Sequence, residues 1–91
     1  MAIHTDRITL GTAATLIVPN DNMAQEVHLH NMTKSSNEYI HVGNSAVSTA
    51  NSIHIDPGKD LTLMLRPGDA LYAISEPSGL DVGVIRITKG D

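Results

Sequence analysis

Two Pro-Gly pairs constrain this chain more than any other feature. Asp56-Pro57-Gly58-Lys59 and Arg66-Pro67-Gly68-Asp69 both place Pro and then Gly at the centre of a tight turn. Proline presets φ at the first central position. Glycine accepts the positive φ that a type II turn requires at the second. Glu76-Pro77-Ser78-Gly79 and the Asn20-Asp21-Asn22 stretch after Pro19 mark two further reversals, so all four prolines fall in punctuation. A chain that turns back this often has no room for long helices.

Between the turns the apolar residues alternate. Ile53 and Ile55 flank His54; Leu61, Leu63 and Leu65 alternate with Thr62 and Met64; Tyr72 and Ile74 pair at the same spacing. Val82 and Val84 alternate with Asp81, Gly83, Ile85 and Ile87. Upstream, Ile8 and Leu10, Val27 and Leu29, and Ile40 and Val42 repeat the pattern, while residues 13–18 form a mostly apolar run. This is the period of a strand with one buried face, and helical spacing fails throughout. The expected fold is all-β: a small antiparallel β-sandwich or partly closed barrel of about seven strands. The strands fall at roughly 7–18 (with a break at Gly11), 25–31, 38–43, 52–56, 60–66, 70–75 and 81–88. The tight turns after residue 52 predict an antiparallel meander. The small, polar stretch 44–51 reads as a longer connection crossing between sheets. Residues 1–6 read as a free N-terminal arm, and 7–91 as a single domain.

A chain of 91 residues builds a thin core, and this one has no Trp, no Phe and two Tyr. Small domains with little core gain stability from disulfides, metals or partners. Cysteine is absent, which excludes disulfides and fits a reducing compartment, so oligomerisation is the expected remedy. The net charge is −4, and the basic residues Arg7, Lys34, Lys59, Arg66, Arg86 and Lys89 are scattered. Nucleic-acid binding is therefore not expected, because neither a phosphate-neutralising cluster nor a stacking platform is present. The N-terminus lacks the regions of a signal peptide, and no apolar run approaches the ~18 residues of a membrane span.

The histidines are the main candidates for chemistry. His28 and His30 sit at i and i+2 and share a strand face; His41 and His54 occupy the polar phase of two other strands. All four match outward-facing sheet positions. A His-x-His pair is also how cupin metal sites begin, and Pro67-Gly68-Asp69 matches a piece of the second cupin motif. The rest of that pattern fails. Glu38 lies too far beyond His30, no histidine follows His54, and the required three or four ligands are not assembled. No metal or other cofactor is expected. No Gly-x-Ser-x-Gly elbow, catalytic cysteine, selected carboxylate pair or phosphate loop occurs, so no catalytic residue is assigned and the chain is not expected to be an enzyme.

Several stretches together resemble a known family. They are Tyr39 to Gly43, Val47 to Asn51, Pro57-Gly58, Leu61 to Leu65 and Gly68 to Ala73. In this order they resemble the small β-sandwich virion proteins of tailed bacteriophages. The resemblance implies a capsid decoration or cement protein that stabilises the outer shell. It implies a homotrimer, the major capsid protein as partner, and a location on the outer capsid surface after synthesis in the bacterial cytoplasm. On that reading the arm residues Met1, Ala2, Ile3, His4, Thr5, Asp6 and Arg7 contact the capsid, with Arg7 facing an acidic surface. The alternatives are a tail, fibre or head-spike component, and a cupin-like metal- or carbohydrate-binding module.

Overall fold

The computed structural model describes residues 2–88, with Ala2 as backbone only. It contains eight strands: β1 (Ala2–Thr9), β2 (Thr15–Val18), β3 (Gln25–Asn31), β4 (Tyr39–Gly43), β5 (Ile53–Ile55), β6 (Asp60–Leu65), β7 (Leu71–Glu76) and β8 (Asp81–Thr88). The expected first strand is two strands, separated by the break at Gly11. The strands form two antiparallel four-stranded sheets, ordered β1-β8-β3-β6 and β2-β7-β4-β5. This is the jelly-roll order, a sandwich of two sheets and not a closed barrel. Among the described residues, no helix is long and apolar enough to cross a membrane.

Both Pro-Gly turns take the expected conformation. Gly58 and Gly68 have φ of 72° and 90°. The turns close through Lys59 N–H donating to Asp56 O and Asp69 N–H donating to Arg66 O, each at 3.0 Å. What they join differs from the expectation. The first carries the chain from β5 in one sheet to β6 in the other, and the second carries it back to β7. They are sandwich corners, and there is no meander. Every connection crosses between sheets except β4 to β5, the 44–51 segment expected to cross. A type II turn fixes chain reversal but leaves open whether the departing strand pairs with its predecessor or packs over it.

The 44–51 segment has its own internal order. Asn44 Oδ1 accepts from Ala46 N at 2.9 Å, Asn44 O accepts from Val47 N at 3.0 Å, and Ser48 pairs with Asn51. These bonds fold it back onto the outer face of the short sheet, where Val47 is buried. Gly43 permits the approach, since a Cβ there would lie 3.3 Å from Val47 Cγ2.

The core lies between the inner faces. Val27, Leu29, Val82 and Val84 of one sheet face Ile40, Val42, Ile55, Leu71 and Ala73 of the other. Leu10 and Leu80 seal one end: Leu10 N–H donates to Leu80 O at 2.8 Å, and Gly79 N–H donates to Leu10 O at 2.7 Å. Three polar residues enter the core with partners. Asn31 Nδ2 donates to Glu38 O and Ile55 O, each at 2.9 Å; Gln25 Nε2 donates to Pro19 O at 2.9 Å; and Ser75 Oγ donates to Pro77 O at 2.8 Å. These bonds offset the cost of burying polar atoms. The Asn31 amide also ties the end of β3 to the opposite sheet.

Residues 2–6, expected as part of a free arm, instead belong to β1. They continue an unbroken register with β8 from Ala2↔Thr88 to Thr9↔Asp81. The apolar signal of β8 gives this segment a template that its own sequence does not advertise.

Candidate functional site

The surfaces that stand out are the edges and the outer faces. The long sheet ends in β1 on one side and β6 on the other, and among the described residues neither edge is bonded to a further strand. Both pair without a break along their inner sides, over eight residues in β1 and six in β6. Neither contains Pro, Lys or a bulge, although β1 carries Asp6 and Arg7 and β6 begins with Asp60. The short sheet ends differently. β2 has four residues and a register shift between Leu16 and Val18, and β5 has three.

The outer face of the long sheet carries a row of cross-strand neighbours that is apolar at both ends and interrupted by Glu26. Ile3 of β1 lies opposite Ile87 of β8, Ile87 opposite Glu26 of β3, and Glu26 opposite Met64 of β6. The row therefore begins and ends at the two open edges with exposed apolar side chains, Ile3 at 66 % and Met64 at 58 %.

The residues expected to touch a capsid are distributed along β1. Met1 lies outside the described residues. Ile3, Thr5 and Arg7 lie on the outer-face side, and His4 and Asp6 on the side of Arg86 and Val84. Arg7 is committed within the chain: its Nε donates to Asp81 Oδ2 at 2.8 Å, while Thr9 Oγ1 donates to Asp81 Oδ1 at 2.6 Å. The Thr9 hydroxyl and then the Arg7 guanidinium hold the Asp81 carboxyl below its ordinary 3.8. Both bonds fasten β1 to β8.

Four strand histidines, His28, His30, His41 and His54, each face a carboxylate. On the long sheet, His28 Nε2–H donates to Glu26 Oε2 at 2.7 Å, which leaves Nδ1 to accept from Thr62 Oγ1 at 3.1 Å. His30 Nδ1 bonds Asp60 across to β6. His28, His30, Asp60 and Thr62 line, with Ile85, an open depression of about 410 Å³. On the short sheet, His41 and His54 are directly opposed, with ring centroids 6.1 Å apart. His54 Nε2 lies 3.2 Å from Asp56 Oδ1. His41 is 7 % exposed despite its outward position. Its Nε2–H donates to Glu76 Oε1 at 3.1 Å, and its Nδ1 lies 3.0 Å from Ser52 Oγ. Among the described residues, no three His, Asp or Glu side chains converge as metal ligands. The partners Asp60 and Glu76 lie 30 and 35 residues from their histidines, so no local motif announces them. Only the topology brings them together.

No protein-family model and no curated protein sequence matches the chain. A solved structure does. Its fold is similar to that of a chain from Bacillus endospore appendages, described as a novel family of disulfide-linked pili. The match has a TM-score of 0.53 and 16 % identity, and it covers 97 % of this chain and 89 % of that one. At that identity the likeness shows the fold.

This finding overturns the virion reading. Over nearly its whole length the chain follows the fold of a chain from a spore appendage, and no comparison ties it to a phage virion. The strand-and-turn pattern that resembles phage proteins is what a small jelly roll requires of any sequence, so it carries no mark of a phage head. The major capsid protein as partner, the shell-bound trimer and the outer capsid location fall with it.

Proposed function

We propose that the chain is a structural subunit that polymerises with copies of itself, edge to edge, into a fibre. The observation that carries this reading is the pair of open edges on the long sheet. Successive strands in the β1-β8-β3-β6 order are antiparallel, so β1 and β6 run in opposite directions. A second copy placed by simple translation sets its β6 beside β1 of the first in antiparallel orientation. It also sets its Met64 beside Ile3, so that two exposed apolar side chains meet across the new contact. Such a contact joins two different surfaces, so it repeats without closing and generates a filament. The inherited twist of the strands winds that filament. Edge pairing satisfies backbone groups otherwise left to water, and self-association supplements the thin aliphatic core.

The likeness to a pilus-forming chain supports a polymerising role for this fold. The linkage differs, because the present chain has no cysteine. Its contacts are non-covalent on this reading and dissociate on dilution. No catalytic step is part of the role.

Sedimentation and negative-stain microscopy of the purified protein across a concentration series test the proposal. Filaments that lengthen with concentration are expected. Ile3→Lys and Met64→Lys, at exposed positions, are expected to leave a folded monomer, since edge lysines oppose strand addition. A monomer at every concentration, or a closed dimer or trimer, overturns the reading.

A further inference from the structure

The hydrogen-bond chain through His41 has a direction. Glu76 can only accept, so the proton of the neutral imidazole resides on Nε2 and points to the carboxylate at 3.1 Å. Nδ1 is then a bare acceptor, and Ser52 O–H donates to it at 3.0 Å. A hydroxyl, a base and a carboxylate that orients the base stand in series. This is the arrangement that turns a weak serine nucleophile into a strong one.

The surroundings fit that use. His41 is held in the outer face of the short sheet with a side chain 9 % exposed, while the Glu76 side chain is 56 % exposed. Tyr39 and His54 stand beside it, their rings in edge contact at 5.6 Å. Ser52 itself is exposed. It follows directly on the Ser48–Asn51 pairing, so an internally bonded turn fixes its backbone. Ser52 also opens on a depression of about 370 Å³ shared with Gly43, Asn44 and Asn51. The Asn51 amide lines the same depression and makes a long bond of 3.5 Å to Ala46 O.

We propose that Ser52 is an activated nucleophile and an acylation site, taking acyl groups from activated esters or thioesters. Ser52 Oγ forms a bond to the acyl carbon as its proton passes to His41 Nδ1. The bond from that carbon to the leaving oxygen or sulfur breaks, the electron pair departs with the leaving group, and His41 returns the proton to it. The products are O-acyl-Ser52 and the free alcohol, phenol or thiol. Glu76 is a positioning residue that holds the tautomer. The reaction is a single modification of the subunit, without turnover, and is independent of polymerisation.

The full chain treated with p-nitrophenyl acetate, followed by peptide mass mapping, tests this. Ser52 is expected to acetylate about a hundredfold faster than the loop serines Ser36 and Ser78, within the range a positioned base supplies. Glu76→Gln, at a half-exposed position, is expected to keep the fold by circular dichroism and to slow Ser52 by about tenfold or more, while leaving Ser36 and Ser78 unchanged. Ser52→Ala is expected to abolish the fast phase. Acetylation of Ser52 at the rate of Ser36 and Ser78, or a rate indifferent to Glu76→Gln in the folded protein, shows that the His41 bonds serve only to satisfy a buried ring and overturns the proposal.

Discussion

The β1-β8-β3-β6 sheet ends in strands of eight and six residues, whereas the β2-β7-β4-β5 sheet ends in strands of four and three. The long sheet leaves its outer face bare, with Ile3, Met64 and Ile85 in water; the short sheet draws the 44–51 segment over its own, burying Val47 and His41. The two sheets share one core, and the contrast lies outside it. The short sheet uses its chain to cover the middle of its outer face, leaving Leu16 and Ile53 of its two short edge strands exposed. The long sheet carries surface that its own chain does not cover. In a domain with few aromatic side chains, uncovered apolar surface and open edges mark the side available to partners.

The largest expected effects probe what the sheets share. Leu29→Ala in β3 and Ile40→Ala in β4 both empty fully buried sites, and each is expected to cost about 2–5 kcal/mol in urea unfolding. A large loss at one site and a negligible loss at the other breaks the picture of a common core. Next come the outer faces. Val47→Ala removes buried methyl groups and is expected to cost about 1.5 kcal/mol, whereas Met64→Ala is expected to stay within about 0.5 kcal/mol for the monomer. Equal costs at the two positions mean that the faces do not differ as described.

The smallest effect concerns the fastening of β1. Asp81 has a lowered folded-state pKa, through its bonds from Thr9 and Arg7. Its contribution is therefore fully present above the ordinary carboxylate value of 3.8 and is lost as pH falls through the lowered value in the folded protein. Unfolding measured along an acid series is expected to show this loss in the native chain. Asp81→Asn is expected to flatten that part of the profile, and an unchanged slope in the variant removes Asp81 as its source.

The sequence carries the strands more legibly than their partners. Period-two alternation marks Val27-Leu29, Ile40-Val42 and Val82-Val84 because each has one face in the core. β1 is not legible across Ala2–Asp6, since its inner side is largely uncovered and no alternation is imposed on it. The turn type at Pro57-Gly58 is readable from two residues, but the sheet to which the chain then goes is set by long-range packing. Of the candidate site, the outward positions of His28, His30 and His54 follow from alternation. The burial of His41 and its bonds to Ser52 and Glu76 do not, because they depend on a segment folding back over the sheet and on a strand 35 residues away. The resemblance to virion proteins misleads for a related reason: turns and strands report the fold, and function resides in surfaces that such patterns do not encode.

The crossing of almost every connection has a consequence for how the molecule is made. Among the described residues β1 finds its only strand partner in β8, and Arg7 bonds a residue 74 positions away. During synthesis the first strand therefore emerges with nothing to pair with, and it stays unpaired while all the intervening strands are produced. Contacts of such long range form late and slowly. The edge proposed to recruit the next copy does not exist as a flat strand until β8 has been laid beside it. On the proposed edge-to-edge assembly, nascent chains would be kept out of the fibre, and addition would be restricted to molecules that have finished folding.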